Sequence, residues 1–329
     1  MSVRHAGLPV FCALIFIGCG ATAAPRVVTV PFEQKMAAIL QFEDQRALRL
    51  AAGAAPVSAP AKGRAPRVAP APGPSLDLAA FLSDPEARVR RRAALAVGRV
   101  GLPEGVQPLV GALADTDPAV RESAAFALGL IGDVTAVGPL TTALADPLPL
   151  VRGRAAEAIG LIATADPEGG AGKAAARPAA DAIARVAAEY ARTAAVTTLQ
   201  PDEEKWPATP EAEAFKLALF ALVRIGAYES LETAVLDGGK PVSSWWPVAY
   251  ALQRINDPRA LPALKILAAT PGKYSAAFAV RGLGALRDGS SAAVIVPLLD
   301  GQRGLEVTVS AIRAAAQIGA ASAVEPLGR

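Results

Sequence analysis

Asp84, Asp115 and Asp146 stand 31 residues apart, and the chain repeats itself around them. In that register Leu82 falls with Leu113 and Leu144, Val89-Arg90 with Val120-Arg121 and Val151-Arg152, and Gly98 with Gly129 and Gly160. A period of this length describes one supersecondary unit that cannot bury its apolar face alone, so units must stack into an array. Each unit has room for two helices: a first such as Val106 to Leu113, a turn with Asp and Pro, and a second such as Val120 to Ile131. Asp117-Pro118 and Asp146-Pro147 suit the cap and first position of the second helix, since Asp accepts from free backbone N–H groups and Pro has none to leave unpaired. Gly101 and Gly132 suit its stop. Apolar residues make up 52% of the 329 and aromatics only 5%, which favours closely packed helices over a β-sandwich. The expected class is all-α, an α-α superhelical solenoid.

A glycine inside a helix costs about 1 kcal/mol relative to alanine, yet Gly98, Gly129, Gly160 and Gly284 recur at one position. The recurrence predicts close approach of a neighbouring helix there. Taking Gly132 as a marker, the equivalent residues are Gly101, Gly132, Ala163, Gly226, Asn256, Arg287 and Gly319. The one long step, Ala163 to Gly226, is a unit carrying extra material at about 166–177 and 197–210, expected to form surface loops. The layout is an export segment at 1–24, an N-terminal helix within 25–52 (Phe32 to Leu50), a Pro/Ala linker at 53–75 and the array at 76–329. Its last unit is expected to be incomplete, because Ser322 to Leu327 align with Thr135 to Leu140 and Arg329 follows two residues later.

The D-x-x-x-x-V-R turn, the A-x-A-L-G-x-I-G second helix and the V-x-P-L first helix resemble the HEAT-like repeats of phycobilin lyases, over residues 76–329 and most specifically in the first three units. The resemblance implies a ladder between units, with Asp84, Asp115 and Asp146 paired to Arg90, Arg121 and Arg152 and fading toward the C-terminus. The leader, early helix, linker and array together resemble the N-terminal half of exported bacterial proteins whose HEAT array precedes a cyclophilin-type prolyl isomerase domain. That resemblance implies, as an alternative function, an accessory array for an isomerase domain absent from this chain. An enzyme of the phycobilin-lyase class is a further alternative, although no short lyase motif is found.

Residues 1–24 read as an export signal: Arg4, the apolar run Leu8 to Gly18, then small residues. The run is too short to span a bilayer. Gly18-Cys19 resembles a bacterial lipobox, making Cys19 the lipidation site and the membrane a partner through that anchor. Cleavage after Ala21-Thr22-Ala23 is the competing reading. Either cut removes His5, the only histidine, and under the second reading both cysteines, Cys12 and Cys19. A lipidated Cys19 has no free thiol. Ser-His-Asp and Cys-His nucleophiles, imidazole bases, N/S zinc sites and His-Glu di-iron sites are then excluded, so no catalytic residue, metal or cofactor is expected. Gly169-Gly170-Ala171-Gly172-Lys173 fails the phosphate-loop pattern, because Ala174 stands where Ser or Thr is required. Asp202, Glu203 and Glu204 read as a solvated run.

A net charge of +3 leaves little basic excess, and the run Arg88, Arg90, Arg91 and Arg92 reads as a helix start, so nucleic acid is not an expected partner. The second helices instead offer two aligned columns. Leu95 falls with Phe126, Glu157, Phe220, Tyr250, Arg281 and Arg313, and Arg99 with Leu130, Leu161, Arg224 and Arg254. With Arg88, Arg92 and Arg154 beside them, Arg88, Arg92, Arg99, Phe126, Arg154, Phe220, Arg224, Tyr250 and Arg254 form a candidate groove for an unidentified protein or peptide. Aromatic and Arg residues are the types enriched at binding hot spots. The alternative is that Phe126, Phe220 and Tyr250 fill core between units.

Overall fold

The computed structural model describes residues 30–50, 76–166, 168, 170–204 and 209–321. The export segment with Cys19, the 53–75 linker and the residues after 321 lie outside the described residues.

The chain opens with α1 (Phe32–Gln45), β1 (Arg49–Leu50) and β2 (Leu76–Asp77), the two strands pairing antiparallel. A 3₁₀ turn at Leu78–Ser83 leads to α2 (Ala87–Val100). Then come α3 (Val106–Ala112) with α4 (Pro118–Ile131), and α5 (Val137–Ala143) with α6 (Pro149–Ala163). The long unit holds α7 (Ala171–Ala176), α8 (Ala180–Ala191), α9 (Ala194–Thr197) and α10 (Pro210–Ile225). After it come α11 (Tyr228–Val235), the β3 (Leu236–Asp237) and β4 (Lys240–Pro241) hairpin, and α12 (Trp246–Ile255). The array continues with α13 (Leu261–Ala269), α14 (Tyr274–Ala285), α15 (Ala292–Ile295) and α16 (Leu305–Ile318). Second helices α2, α4, α6, α10, α12, α14 and α16 each pack on the next, and the first helices form a second layer against them. Among the described residues no helix is long and apolar enough to cross a membrane.

The recurring glycines mark the contact between second helices. A Cβ built on Gly129, Gly160 or Gly284 would stand 2.7 Å from the Cα of Ala158, Ala221 or Ala314 on the next second helix. The marker column is the left-handed stop of each second helix: Gly101, Gly132, Gly226 and Gly319 have positive φ, and so do Asn256 and Arg287, both at 53°. Ala163 departs from it, because α6 runs through that residue and caps at Thr164.

Two sequence-based boundaries need correction. Helix α6 starts at Pro149, not at Pro147; Pro149 is the repeat equivalent of Pro118, and Asp146 instead accepts from Leu148 N at 2.9 Å within the turn. The N-terminal helix ends at Gln45 rather than Leu50, because Arg46 turns left-handed at φ 49°.

The ladder is present. Arg121 Nε donates to Asp146 at 2.8 Å while its Nη1 donates to the carbonyl of Asp115 at 2.9 Å, and Arg90 bridges Asp84 and Asp115 in the same way. At its C-terminal end Arg152 turns to Glu189 of α8 at 2.8 Å, since no turn aspartate follows in the long unit. At its N-terminal end Lys35 reaches Asp84 at 2.9 Å. Phe32 and Ala87, Lys35 and Arg90, and Arg46 and Gly101 are each 55 residues apart. Helix α1 therefore stacks on α2 as the second helix of a preceding unit, burying Ile39 and Phe42 completely.

The inserted stretches carry structure of their own. Gly172 lies buried in α7 against the main chain of Ile162, so packing on α6 accounts for the glycine. At the second stretch Pro201 O accepts from Trp246 N at 2.8 Å, and Trp245 Nε1 donates to Glu203 O at 3.0 Å. Asp202 accepts from the main-chain N–H groups of Lys273 at 2.6 Å and Tyr274 at 2.8 Å, capping α14. Its carboxylate is a structural cap and not part of a solvated run.

At the other end, Val309 and Ile312 of α16 are exposed, whereas Ala277 and Val280 at the same positions of α14 lie buried beneath α16. No described second helix follows α16 to cover them.

Candidate functional site

The outward side of the second helices is built by residues four apart on each helix, which share one face, and by equivalent residues on successive helices, which align in columns. The structure divides the nine candidate groove residues into three groups along this face.

The N-terminal group is already engaged. Arg92 donates through both Nη atoms to the two carboxylate oxygens of Glu43 on α1, and Arg99 adds a third contact to Glu43 at 3.3 Å. These donors hold the Glu43 carboxyl below the usual carboxylate range, the hydrogen bond from Arg92 contributing most. Arg88 pairs with Glu86 at 2.7 Å, and its guanidinium lies 3.7 Å from the ring centre of Phe32. The expectation of an open groove is corrected here: α1 occupies its first end, and Arg88, Arg92 and Arg99 hold α1 in place. Arg90 belongs to the ladder, so the basic run is largely consumed by intramolecular contacts.

The middle group is half-buried. Arg154 lies between Glu122 at 3.2 Å and Glu157 at 2.8 Å, with its guanidinium 5.5 Å from the ring centre of Phe126. Arg154 is therefore neutralised within the face.

The C-terminal group is different. Phe220 and Tyr250 meet edge to face at 5.1 Å, and Tyr250 meets Phe278 at 5.3 Å. Trp246 closes the cluster at 6.4 Å from Phe220 and 6.0 Å from Phe278. All four are half-buried, between sealed core and open groove. Trp246 and Phe278 were not anticipated from sequence. They continue the columns of Glu122 and Ser123, one helical turn before the column that was followed, and extending the alignment by that turn would have found them. Around the cluster stand Arg224, half-buried, and Arg254, Arg281 and Arg313, all exposed. Arg281 lies 4.6 Å over the ring of Phe278. None of the four arginines makes an ion pair among the described residues.

Two other features bear on chemistry. A cleft of about 250 Å³ opens between the starts of α4, α6 and α10, lined by Pro118, Ala119, Leu148, Pro149 and Pro210. It is smaller than the roughly 300–1,000 Å³ of typical small-molecule sites. Among the described residues no group of three or more His, Cys, Asp and Glu is placed to hold a metal ion.

Residues 76–160 and 111–200 match a family model described as HEAT repeats. Among solved structures, the complex of CpcE and CpcF of phycocyanin lyase from Nostoc sp. PCC7120 is similar at TM-score 0.42 and 21% identity, covering 83% of this chain and 97% of that one. A designed armadillo repeat protein in complex with the peptide (KR)4 is similar at TM-score 0.39 and 16% identity, covering 73% and 98%. Human deoxyhypusine hydroxylase in complex with glycerol is similar at TM-score 0.28 and 19% identity, covering 74% and 94%. The search of curated proteins finds no match.

Proposed function

We propose that this solenoid of HEAT-like repeats is a non-catalytic scaffold of the cell envelope that holds a protein or peptide on its second-helix face. The observation that carries the reading is the cluster of Phe220, Trp246, Tyr250 and Phe278. These residues come from three successive second helices and stay half-open in a chain whose core is built mainly from Ala, Leu and Val. Large aromatic surface with flanking arginines is the composition of binding hot spots, because it offers much contact area and loses little side-chain entropy on binding. In this reading the 1–24 segment exports the chain and Cys19 carries a lipid anchor, which places the array at the membrane surface.

Thermal melts and partner capture of the Phe126→Ala and Tyr250→Ala variants test the assignment together. Each variant is expected to keep most of its stability and to lose envelope proteins that the unmodified chain retains. A stability loss of about 3–5 kcal/mol, the cost of emptying a core aromatic site, would return these residues to the core. Unchanged capture by both variants would remove the face from the binding reading.

A further inference from the structure

The structure itself displays a ligand for the arginine column. Glu43 of α1 lies between Arg92 and Arg99, accepting from both. Arg99 is the repeat equivalent of Arg224 and Arg254. In the first unit a carboxylate fills the position; in the C-terminal half the same position carries arginines that make no ion pair among the described residues. Arg281 and Arg313 extend the positive strip along the neighbouring column, directly after Phe220 and Tyr250. The acid nearest in register, Glu157 on α6, stands in the column of Phe220 and Tyr250 and is already paired with Arg154 at 2.8 Å.

We infer that the C-terminal half of the second-helix face binds an acidic peptide segment, its carboxylates on Arg224, Arg254, Arg281 and Arg313 and an apolar side chain on the Phe220–Trp246–Tyr250–Phe278 cluster. The inference rests on the scaffold reading above and adds the chemistry of the partner. Arg presents a planar fork that matches a carboxylate with two parallel hydrogen bonds, as Arg92 does with Glu43. Packed helices stand about 8–10 Å apart, and an extended chain advances about 3.3 Å per residue. Acidic residues about three positions apart therefore match arginines on successive second helices. Arginine also suits phosphate and bases can stack on aromatic rings, but the carboxylate is the partner the protein already uses on this face, Arg92 holding Glu43 through both Nη atoms.

Selection of a random twelve-residue peptide library on the immobilised full chain provides the test, followed by fluorescence anisotropy of the selected peptides. The expected result is enrichment of Asp and Glu at three-residue spacing around an aromatic or leucine residue. Affinity should fall at least tenfold in the Arg224→Gln, Arg254→Gln double variant and in Arg281→Gln, and should weaken steeply in salt. Arg254 and Arg281 are exposed, so Arg281→Gln and the single Arg254→Gln variant should melt like the unmodified protein, and the single variant serves as the stability control for the half-buried Arg224 in the double one. Neutral or basic selected peptides that still lose binding in Tyr250→Ala would overturn the acidic class and leave the face standing. Selected peptides that bind Tyr250→Ala and the arginine variants equally well would overturn the face as well. Failure to enrich any peptide, or tighter binding of a twelve-residue oligothymidylate than of the selected peptides, also overturns the proposal.

Discussion

Gly98 lies directly against the backbone of Ala127: a Cβ built on it would stand 2.6 Å from that residue's Cα. Glycine to alanine inside a helix is ordinarily stabilising by about 1 kcal/mol. Here the neighbouring main chain cannot give way, and overpacking of this kind costs about 1–3 kcal/mol. Gly98→Ala and Gly129→Ala should therefore destabilise the array in urea titrations. Gly111, on the open side of α3 with nothing within 4 Å, is the control, and Gly111→Ala should stabilise by up to about 1 kcal/mol. A stabilised Gly98→Ala variant would show that the close approach is not real.

The ladder should couple successive units. Arg90 donates through Nε and Nη2 to both oxygens of Asp115 at 2.7 Å, and both side chains are nearly buried. Paired, partly buried charge-assisted hydrogen bonds of this kind are worth about 1.5–3 kcal/mol. A double-mutant cycle on Arg90 and Asp115 should give a coupling in that range, and one on Arg121 and Asp146 a similar value. The Arg152–Glu189 pair, whose carboxylate is 56% exposed, should give less than about 1 kcal/mol. Equal coupling in all three cycles would deny the ladder any role beyond surface pairing.

Acid should loosen the protein and mild alkali should not. The carboxyls of Asp115 and Glu43 are held below their ordinary values chiefly by hydrogen bonds from Arg90 and Arg92, and that of Asp257 chiefly by Arg259. Asp288 is lowered to about 2, chiefly by the Ser290 hydroxyl and then by Lys265. A depressed folded-state pKa contributes stability that is complete above the unfolded value, here about 3.9–4.3, and is lost as pH falls through the folded one. The melting temperature should be flat from about pH 5.5 to 8 and drop below about pH 4.5. In Glu43→Gln the acid limb should flatten. A transition centred near neutral pH would contradict this account, since the only histidine is His5.

Asp202→Ala should destabilise by about 0.5–2 kcal/mol, the usual loss for a helix cap. The residue accepts from the first N–H groups of α14, 72 positions away along the chain from Tyr274. Limited proteolysis should then cut earlier within 197–210 than in the unmodified protein. Unaltered stability and cleavage would mean that the stretch does not dock on α12 and α14.

On the proposed envelope reading, Cys19→Ser should release the protein from the membrane fraction, and acyl groups on Cys19 should be detectable by mass spectrometry of the unmodified protein. A mature N-terminus at Ala24 would establish cleavage after Ala23 instead and leave a product without the anchor.

The sequence by itself determined the unit. The 31-residue period, the recurring glycines and the stop column are local signals, because each follows from helix geometry within one unit or from contact with the next. Asn256 and Arg287 could be placed in the left-handed stop position by register alone, and both have positive φ. The same locality explains what was hidden. Helix α1 stands 55 residues before α2 instead of 31, so its role as a preceding second helix appears only when Lys35 is seen on Asp84 and Glu43 on Arg92. Which arginines on the face are spent and which are open, and that the rings of Trp246 and Phe278, whose columns the register already holds, meet those of Phe220 and Tyr250, depends on how neighbouring helices stack. The sequence supplied the columns, and tertiary packing decided their accessibility: exposure is a property of the contacts a face makes, and the partners in those contacts lie tens of residues away.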